Sequence, residues 1–151
     1  MSETYYVKTF GGLEITNDNV TVNIVELFGK QLVNLLQVLL FHSEKPVQKD
    51  ELIDILWPES KNPSSALKFS IFRLRAELNE IEFFKDKEVI VTTRKGYILN
   101  PNLDWNIDFV ELEKAYNQIN DGSELLDEKE FKTARKIFRL YQGRFYASPS
   151  Q

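Results

Sequence analysis

The side chains best suited to chemistry in this sequence are cationic, and they gather between residues 61 and 96. A helix that opens with a proline carries Arg73 and Arg75, and a β-ribbon whose tip contains Arg94 and Lys95 follows it at once. Guanidinium and ammonium groups bind phosphates, and arginine also matches the acceptors on the edge of a guanine. The pattern therefore predicts contact with duplex DNA. The helix would lie in the major groove and the ribbon tip on the neighbouring backbone or minor groove.

The charge of the chain is distributed unevenly, and this matters for a polyanionic partner. The net charge is −4, and residues 1–59 carry 4 basic and 9 acidic side chains, whereas residues 101–151 carry 7 and 9. Residues 60–100, which hold the helix and the ribbon, carry 8 basic and 5 acidic side chains and form the only basic third. Because the local field steers a polyanion, the acidic total does not exclude DNA, and the small basic excess predicts modest, salt-sensitive affinity.

Other kinds of chemistry find no support in the sequence. The 151 residues include no cysteine and one histidine, so metal sites built from these residue types are excluded. The carboxylates show no convergent pair, and no nucleophile has a matching base. We therefore predict no enzyme activity, no catalytic residues, no cofactor and no metal. No apolar run is long enough for a membrane span and no secretory signal is present, so we expect a cytoplasmic protein without a membrane partner.

Hydrophobic periodicity predicts the elements that position the cationic residues. Residues 4–26 alternate as a short antiparallel meander, and the leucines of 30–42 recur with helical spacing. A second helix is predicted over 48–57, a third over 63–80, and the ribbon over 88–99. This order predicts an α+β winged helix-turn-helix with an N-terminal antiparallel sheet, a three-helix core and a C-terminal β-ribbon wing.

The third helix is amphipathic in projection. At 100° per residue its core face carries Leu67, Ile71, Leu74 and Leu78. Its outward face is predicted to carry Ser65, Phe69, Phe72, Arg73 and Ala76, with Lys68 and Arg75 on one flank and Ser70 and Glu77 on the other. Exposed aromatic pairs usually have a partner. Phe69 and Phe72 are therefore expected to meet thymine methyl groups or another protein, with burial in a variant core as the third interpretation.

The chain changes character after the ribbon, at Pro101 and Asn102. Two helical patterns follow, closed by Gly122 and by Gly143, and predict an α-helical hairpin. We therefore assign residues 1–102 to a winged-helix domain and 103–151 to the start of a second, helical domain. A hairpin can bury only one face on itself and so needs another partner, and the sequence ends eight residues after Gly143.

The chain resembles the OmpR/PhoB-type output domain of bacterial response regulators over roughly residues 5–100. The stretches that carry the resemblance are Leu35-Leu36 with Leu39-Leu40, Pro46-Val47-Gln48-Lys49-Asp50-Glu51-Leu52-Ile53 with Leu56-Trp57, Phe72-Arg73-Leu74-Arg75 with Leu78, and Thr92-Thr93-Arg94-Lys95-Gly96-Tyr97. Residues 107–146 resemble the opening helices of the TPR-like bacterial transcriptional activator domain that follows this module in SARP-like regulators. The matching stretches there are Asp108-Phe109 with Ala115, and Leu140-Tyr141-Gln142-Gly143-Arg144-Phe145. That domain usually continues with several more helices, so the resemblance implies a second domain that is truncated here or an unusually short member.

The resemblance implies a sequence-specific DNA-binding transcriptional regulator that acts as a dimer on repeated half-sites. The residues predicted to contact DNA are Ser64, Ser65, Lys68, Phe69, Ser70, Phe72, Arg73, Arg75, Arg94 and Lys95. Among them, Arg73 would read base edges or phosphates, Arg75 would grip a phosphate and Arg94 would enter the minor groove. Ser64 and Ser65, at the helix N-terminus, would offer hydroxyl and amide donors to a phosphate.

Two departures from the family pattern leave an alternative function open. Phe72 stands where the family usually has Ser or Arg, and Ala76 where a basic residue is common. The alternative is a winged helix used for protein interaction or dimerisation without specific DNA binding. For single residues a plainer interpretation also stands: Arg73 and Arg75 form a solvated helix flank that pairs with Glu77 or Glu80, and the ribbon tip is merely polar. The expected partners are double-stranded DNA, RNA polymerase and a second copy of the chain.

Overall fold

The computed structural model describes residues 3–120, in which short strands and helices alternate. The strands are β1 (Thr4–Lys8), β2 (Glu14–Asn17), β3 (Val20–Asn23), β4 (Ile90–Thr92), β5 (Tyr97–Leu99) and β6 (Asp104–Ile107). The helices are α1 (Ile24–Leu27), α2 (Lys30–Phe41), α3 (Lys49–Leu56), α4 (Pro63–Asn79) and α5 (Asp108–Asn120), with a 3-10 turn at Glu82–Phe84. The predicted order of sheet, three helices and ribbon is confirmed, and α1 and β6 are additions to it.

The hydrophobic core is centred on α2, which packs against α3, α4 and β5. Leu35, Leu36 and Leu39 are at most 1% exposed, and even Gln37 is buried. Burial of one leucine side chain contributes about 1.5–3 kcal/mol relative to its exposure to water. The wide apolar surface over residues 30–42 predicts a central helix, and the burial of α2 confirms this.

The core also fixes the rotation of α4 about its own axis. Leu67, Ile71, Leu74 and Leu78 are at most 2% exposed, as their helical spacing predicts. Pro63 occupies the first turn, where its missing N–H leaves no hydrogen bond unmade. The orientation of α4 decides which of its side chains face outwards, and so which can contact a partner.

The sheet contains one strand that the sequence did not predict. Its order is β3-β2-β1-β6, with antiparallel pairing of β3 with β2 and of β2 with β1. Strand β6 pairs with β1 in parallel, with Tyr5 opposite Trp105, so the sheet is mixed instead of purely antiparallel. The sequence places residues 103–107 at the start of the second domain, whereas the structure adds β6 to the sheet of the first. The division into two domains stays a prediction, but residues 104–107 belong with the winged helix.

Helix α5 is joined to the same sheet through its first residues. The Asp108 carboxylate accepts hydrogen bonds from the backbone N–H of Thr9 at 3.0 and 2.9 Å and of Phe10 at 3.3 Å, and from the Thr9 hydroxyl at 2.6 Å. The Phe109 ring lies with its centroid 4.3 Å from that of Phe41. The start of α5 is therefore part of the packed domain.

The second helix of the predicted hairpin lies outside the described residues. Within residues 3–120, no helix has both the length and the apolar character that crossing a membrane requires.

Candidate nucleic-acid interface

The outward face of α4 carries most of the side chains predicted to contact DNA. Ser64, Ser65, Lys68, Phe69, Phe72 and Arg73 are all exposed on this helix. Ser70 is the exception, because it is only 8% exposed and lies among the buried positions of α4. The structure therefore buries a side chain that the sequence predicts to face DNA, and its contact with DNA stays a prediction. The helical projection places Ser70 on a flank of α4. In the structure its small side chain is buried, as are Leu67 and Leu74 on the same helix.

Arg73 is exposed on this face but has partners within the helix. Its Nη2 donates to Glu77 Oε1 at 3.3 Å, and its guanidinium carbon lies 6.0 Å from the centroid of the Phe69 ring. The Arg73 side chain is 52% exposed. An exposed pair of this kind contributes only about 0.3–0.5 kcal/mol, so it does not prevent Arg73 from turning towards another anion.

Arg75 is directed at the wing, the ribbon made by β4 and β5. Its Nε and Nη2 donate to the carbonyl oxygen of Ile90 at 3.3 and 3.1 Å, and Nη2 also donates to the Thr92 hydroxyl at 2.7 Å. These contacts occupy the guanidinium edge that the sequence analysis assigned to a phosphate. The structure gives Arg75 the role of holding β4 against α4, and sequence reasoning missed it because the acceptor is a backbone carbonyl 15 residues away.

We expect Arg75→Ala to loosen the wing while the rest of the domain stays folded. The loss of hydrogen bonds from a charged, partly buried donor predicts a decrease of about 1.5–3 kcal/mol in the free energy of unfolding. Hydrogen exchange should accelerate more at the amides of β4 and β5, which open locally, than at those of β1 and β2, which report the global loss of stability. Lys68→Ala, on the exposed face of the same helix, is the control. Equal exchange at the wing in both variants would contradict this role.

The wing tip is organised by a threonine that the sequence analysis did not single out. The Thr93 hydroxyl accepts hydrogen bonds from the backbone N–H of Lys95 and of Gly96, both at 3.1 Å. The backbone N–H of Thr93 donates to the Gly96 carbonyl at 2.7 Å. The signal available was the threonine at the start of a turn, where a hydroxyl can bond to the backbone two residues on. The turn leaves Arg94 and Lys95 exposed, as predicted.

The base of the wing is anchored to the segment that precedes α3. The N–H of Val47 donates to the Tyr97 carbonyl at 2.8 Å, and the Tyr97 N–H donates to the Val47 carbonyl at 3.0 Å. Gly96 lies so close to this segment that no side chain fits there. Together with the Arg75 contacts, this bridge sets the position of the wing relative to α4.

A cleft of about 660 Å³ separates α4 from the entry to the wing, and Phe72, Ala76 and Lys87 are among the residues that line it. Lys87 Nζ donates to the Tyr5 hydroxyl at 2.7 Å and to Glu3 Oε2 at 3.0 Å. These hydrogen bonds, with the Tyr5 bond the stronger cause, raise the pKa of Lys87, and the bond from Lys87 lowers the pKa of Glu3. Lys87 thus binds Tyr5 of the N-terminal strand and Glu3 beside it, and its ammonium group is not directed at the outward face of α4.

No group of three or more histidine, aspartate or glutamate side chains that could hold a metal ion occurs within the part of the chain that the structure describes. The candidate interface is formed by the outward face of α4 and the wing tip. Both present exposed basic side chains, and two exposed phenylalanines lie between the basic residues of α4.

Comparison with known proteins places this fold in a family. The family model described as "Transcriptional regulatory protein, C terminal" matches residues 22–99, which is just over half of the chain. The DNA-binding domain of E. coli CadC is 27% identical, with a TM-score of 0.45, over 57% of this chain and 77% of that one. Mycobacterium tuberculosis EmbR, solved in complex with a low-affinity phosphopeptide, is 22% identical with a TM-score of 0.54.

The EmbR similarity covers 78% of this chain and 31% of that one, so this chain corresponds to less than a third of EmbR. At this identity the similarity shows a shared fold. No curated protein matches the chain. The family match extends from β3 to the end of the wing and includes α4, the wing tip and the bridge at Val47. The chain therefore belongs to the family of transcriptional regulatory protein C-terminal domains, the OmpR/PhoB-type winged-helix domains that bind DNA.

Proposed function

We propose that the chain is a sequence-specific transcriptional regulator that places α4 in the major groove of duplex DNA and the wing on the adjacent backbone or minor groove. The observation that carries the proposal is the division of α4 into two faces. One face is buried in the core, and the other exposes Lys68 and Arg73 beside a wing that Arg75 holds in place. A rigid helix with an exposed basic face fits the major groove.

Each exposed residue has a role that follows from its chemistry. Arg73 would reach base edges, because a guanidinium can donate two parallel hydrogen bonds to guanine. Lys68, Ser64 and Ser65 would contact phosphates near the start of α4. At the wing tip, Arg94 and Lys95 would meet the backbone or the minor groove. Arg75 and Ser70 have no direct contact in this proposal, which corrects the assignment made from the sequence.

Salt dependence tests whether the interface is electrostatic. If Lys68, Arg94 and Lys95 each neutralise one phosphate, the logarithm of the association constant should fall by about 2.7 per tenfold increase in salt concentration. Titrations of a selected duplex between 50 and 200 mM salt would then show affinity falling roughly 40-fold. Lys95→Ala should make this slope shallower by about one. Lys45→Ala, an exposed lysine outside the interface, should leave it unchanged.

The second candidate function is protein interaction through the same winged helix. The exposure of Phe69 and Phe72, with Ala76 beside them, is the observation that favours it. Failure to bind any random duplex at low salt would support this function and contradict the first.

The segment that follows the wing is proposed to open a helical activator-type domain, as its resemblance to SARP-like regulators implies. Such a domain would contact RNA polymerase or a second copy of the chain, with two copies bound to repeated half-sites. We also propose a cytoplasmic location, since that is where duplex DNA and polymerase are found in a bacterium.

A further inference from the structure

Two phenylalanine side chains form the most exposed apolar surface in the described part of the chain. Phe72 is 70% exposed and Phe69 61%, whereas the next large apolar residue, Leu27, is 59% exposed. Residues three apart in a helix are neighbours on its surface, so the two rings form one patch on α4. Contiguous apolar surface of this kind marks a contact with a partner.

The charges around this patch select the class of partner. Lys68 and Arg73 lie on the same helix, and the Arg73 guanidinium lies 6.0 Å from the centre of the Phe69 ring. By contrast, the exposed side chain of Leu27 lines a groove together with Glu77, Glu80 and Glu82. The apolar surface at Leu27 would therefore repel a polyanion. Beside Phe72, the cations Arg75 and Lys87 balance the carboxylates Asp86 and Glu88. Lys68 and Arg73 outnumber Glu77 on the helix itself, so the patch of Phe69 and Phe72 carries a small basic excess and would attract a polyanion.

The major groove of thymine-containing DNA combines these two properties. It is flanked by negatively charged phosphates, and it exposes apolar methyl groups on its floor. The base edges there present hydrogen-bond donors and acceptors, and the one apolar group is the C5 methyl of thymine. We infer that Phe69 and Phe72 contact thymine methyl groups and make the chain select thymine at two positions of its site. This inference rests on the proposed function, because it requires α4 to enter the major groove.

Helix geometry gives the spacing of the two thymines. Three residues advance about 4.5 Å along a helix, and successive base pairs are about 3.4 Å apart along one strand. Phe69 and Phe72 therefore meet neighbouring base pairs, on either strand. This apolar readout also explains how α4 binds with few cations, since methyl contacts add affinity that does not depend on salt.

Replacement of thymine by uracil tests the inference directly, because it removes one methyl group and keeps the base pairing. The full chain would be titrated with a duplex selected from a random pool, with each thymine replaced in turn. We expect affinity to fall about fourfold at two neighbouring base pairs, the effect of one buried methyl-sized group. Phe69→Ala should remove the uracil effect at one of them and Phe72→Ala at the other. Leu27→Ala is the control and should leave both effects in place.

The possible outcomes separate this inference from the proposed function. If the chain binds a selected duplex but uracil has no effect at any position, DNA binding stands and the methyl contact is wrong. The same conclusion follows if uracil weakens binding equally in the wild type and in both phenylalanine variants, since another residue then reads the methyl group. If no duplex binds, the proposed function fails as well. Loss of self-association in Phe72→Ala without any DNA would instead assign the patch to a protein contact and overturn the inference.

Discussion

Gly96→Ala is expected to destabilise the domain by about 3 kcal/mol, the upper end of the range for overpacking. A Cβ atom at this position would lie 1.9 Å from the carbonyl oxygen of Val47, 2.6 Å from its carbonyl carbon and 2.9 Å from the Cα of Gln48. All three are backbone atoms, and the Val47 carbonyl is the acceptor of the bridge from Tyr97. The φ angle of +151° is also one that side chains disfavour. The added methyl group must therefore push the wing away from the segment before α3.

Urea denaturation would measure this effect, with Gly29→Ala as the matched control. Gly29 has an ordinary φ angle of −66°, and no atom lies within 4 Å of a Cβ built there. Its substitution should change the free energy of unfolding by less than about 1 kcal/mol, the scale of an altered N-cap. Similar losses in the two variants would show that the wing does not pack against Val47.

The same glycine shows why part of the fold was predictable and part was not. A basic turn closed by glycine between two apolar runs is enough to predict a hairpin, because it depends on residues close in sequence. The contact of Gly96 with Val47 depends on how the wing packs against the helices. The spacing of apolar residues in the sequence contains no information about the distance between Gly96 and Val47. The sequence therefore predicts the turn but not the contact that holds it in place.

Strand β6 gives the clearest failure of local reasoning. Its four residues, from Asp104 to Ile107, follow a proline and an asparagine that indicate a boundary. Their partners in β1 lie 100 residues away in the chain, and the pairing is parallel. Helix α4 is the opposite case. Its core face follows from a 3.6-residue period, and all four predicted core residues are buried.

The candidate site was predictable in residue type but not in the role of every residue. The exposed positions of α4 follow from its helical period. Arg75 and Ser70 lie on the flanks of the helix, where burial depends on which other elements pack beside them. Arg75 donates hydrogen bonds to a carbonyl and a hydroxyl group on β4, and Ser70 is buried against the core. A projection of one helix contains neither of these neighbours, so it does not determine the burial of its flank positions.

Arg73→Ala is expected to weaken binding to a selected duplex by about 1–3 kcal/mol, the range for one good base contact. The stability of the free protein should barely change, because the exposed pair with Glu77 contributes only about 0.3–0.5 kcal/mol. Gel-shift titration would measure the first effect and thermal denaturation the second. Lys45→Ala, which removes one exposed positive charge beside the start of α5, controls for the loss of overall charge.

Glu77 provides a second variant that acts in the opposite direction. Its carboxylate holds Arg73 at 3.3 Å and adds a negative charge beside the groove-facing surface. Glu77→Gln should therefore strengthen DNA binding, since Arg73 is released and a repulsion with phosphate is removed. In the double variant with Arg73→Ala, the part of this gain that comes from released Arg73 should disappear, and the part that comes from charge should remain. If Arg73→Ala leaves affinity unchanged and Glu77→Gln has the same effect in both backgrounds, Arg73 serves only the ion pair, and its assigned contact with the bases is wrong.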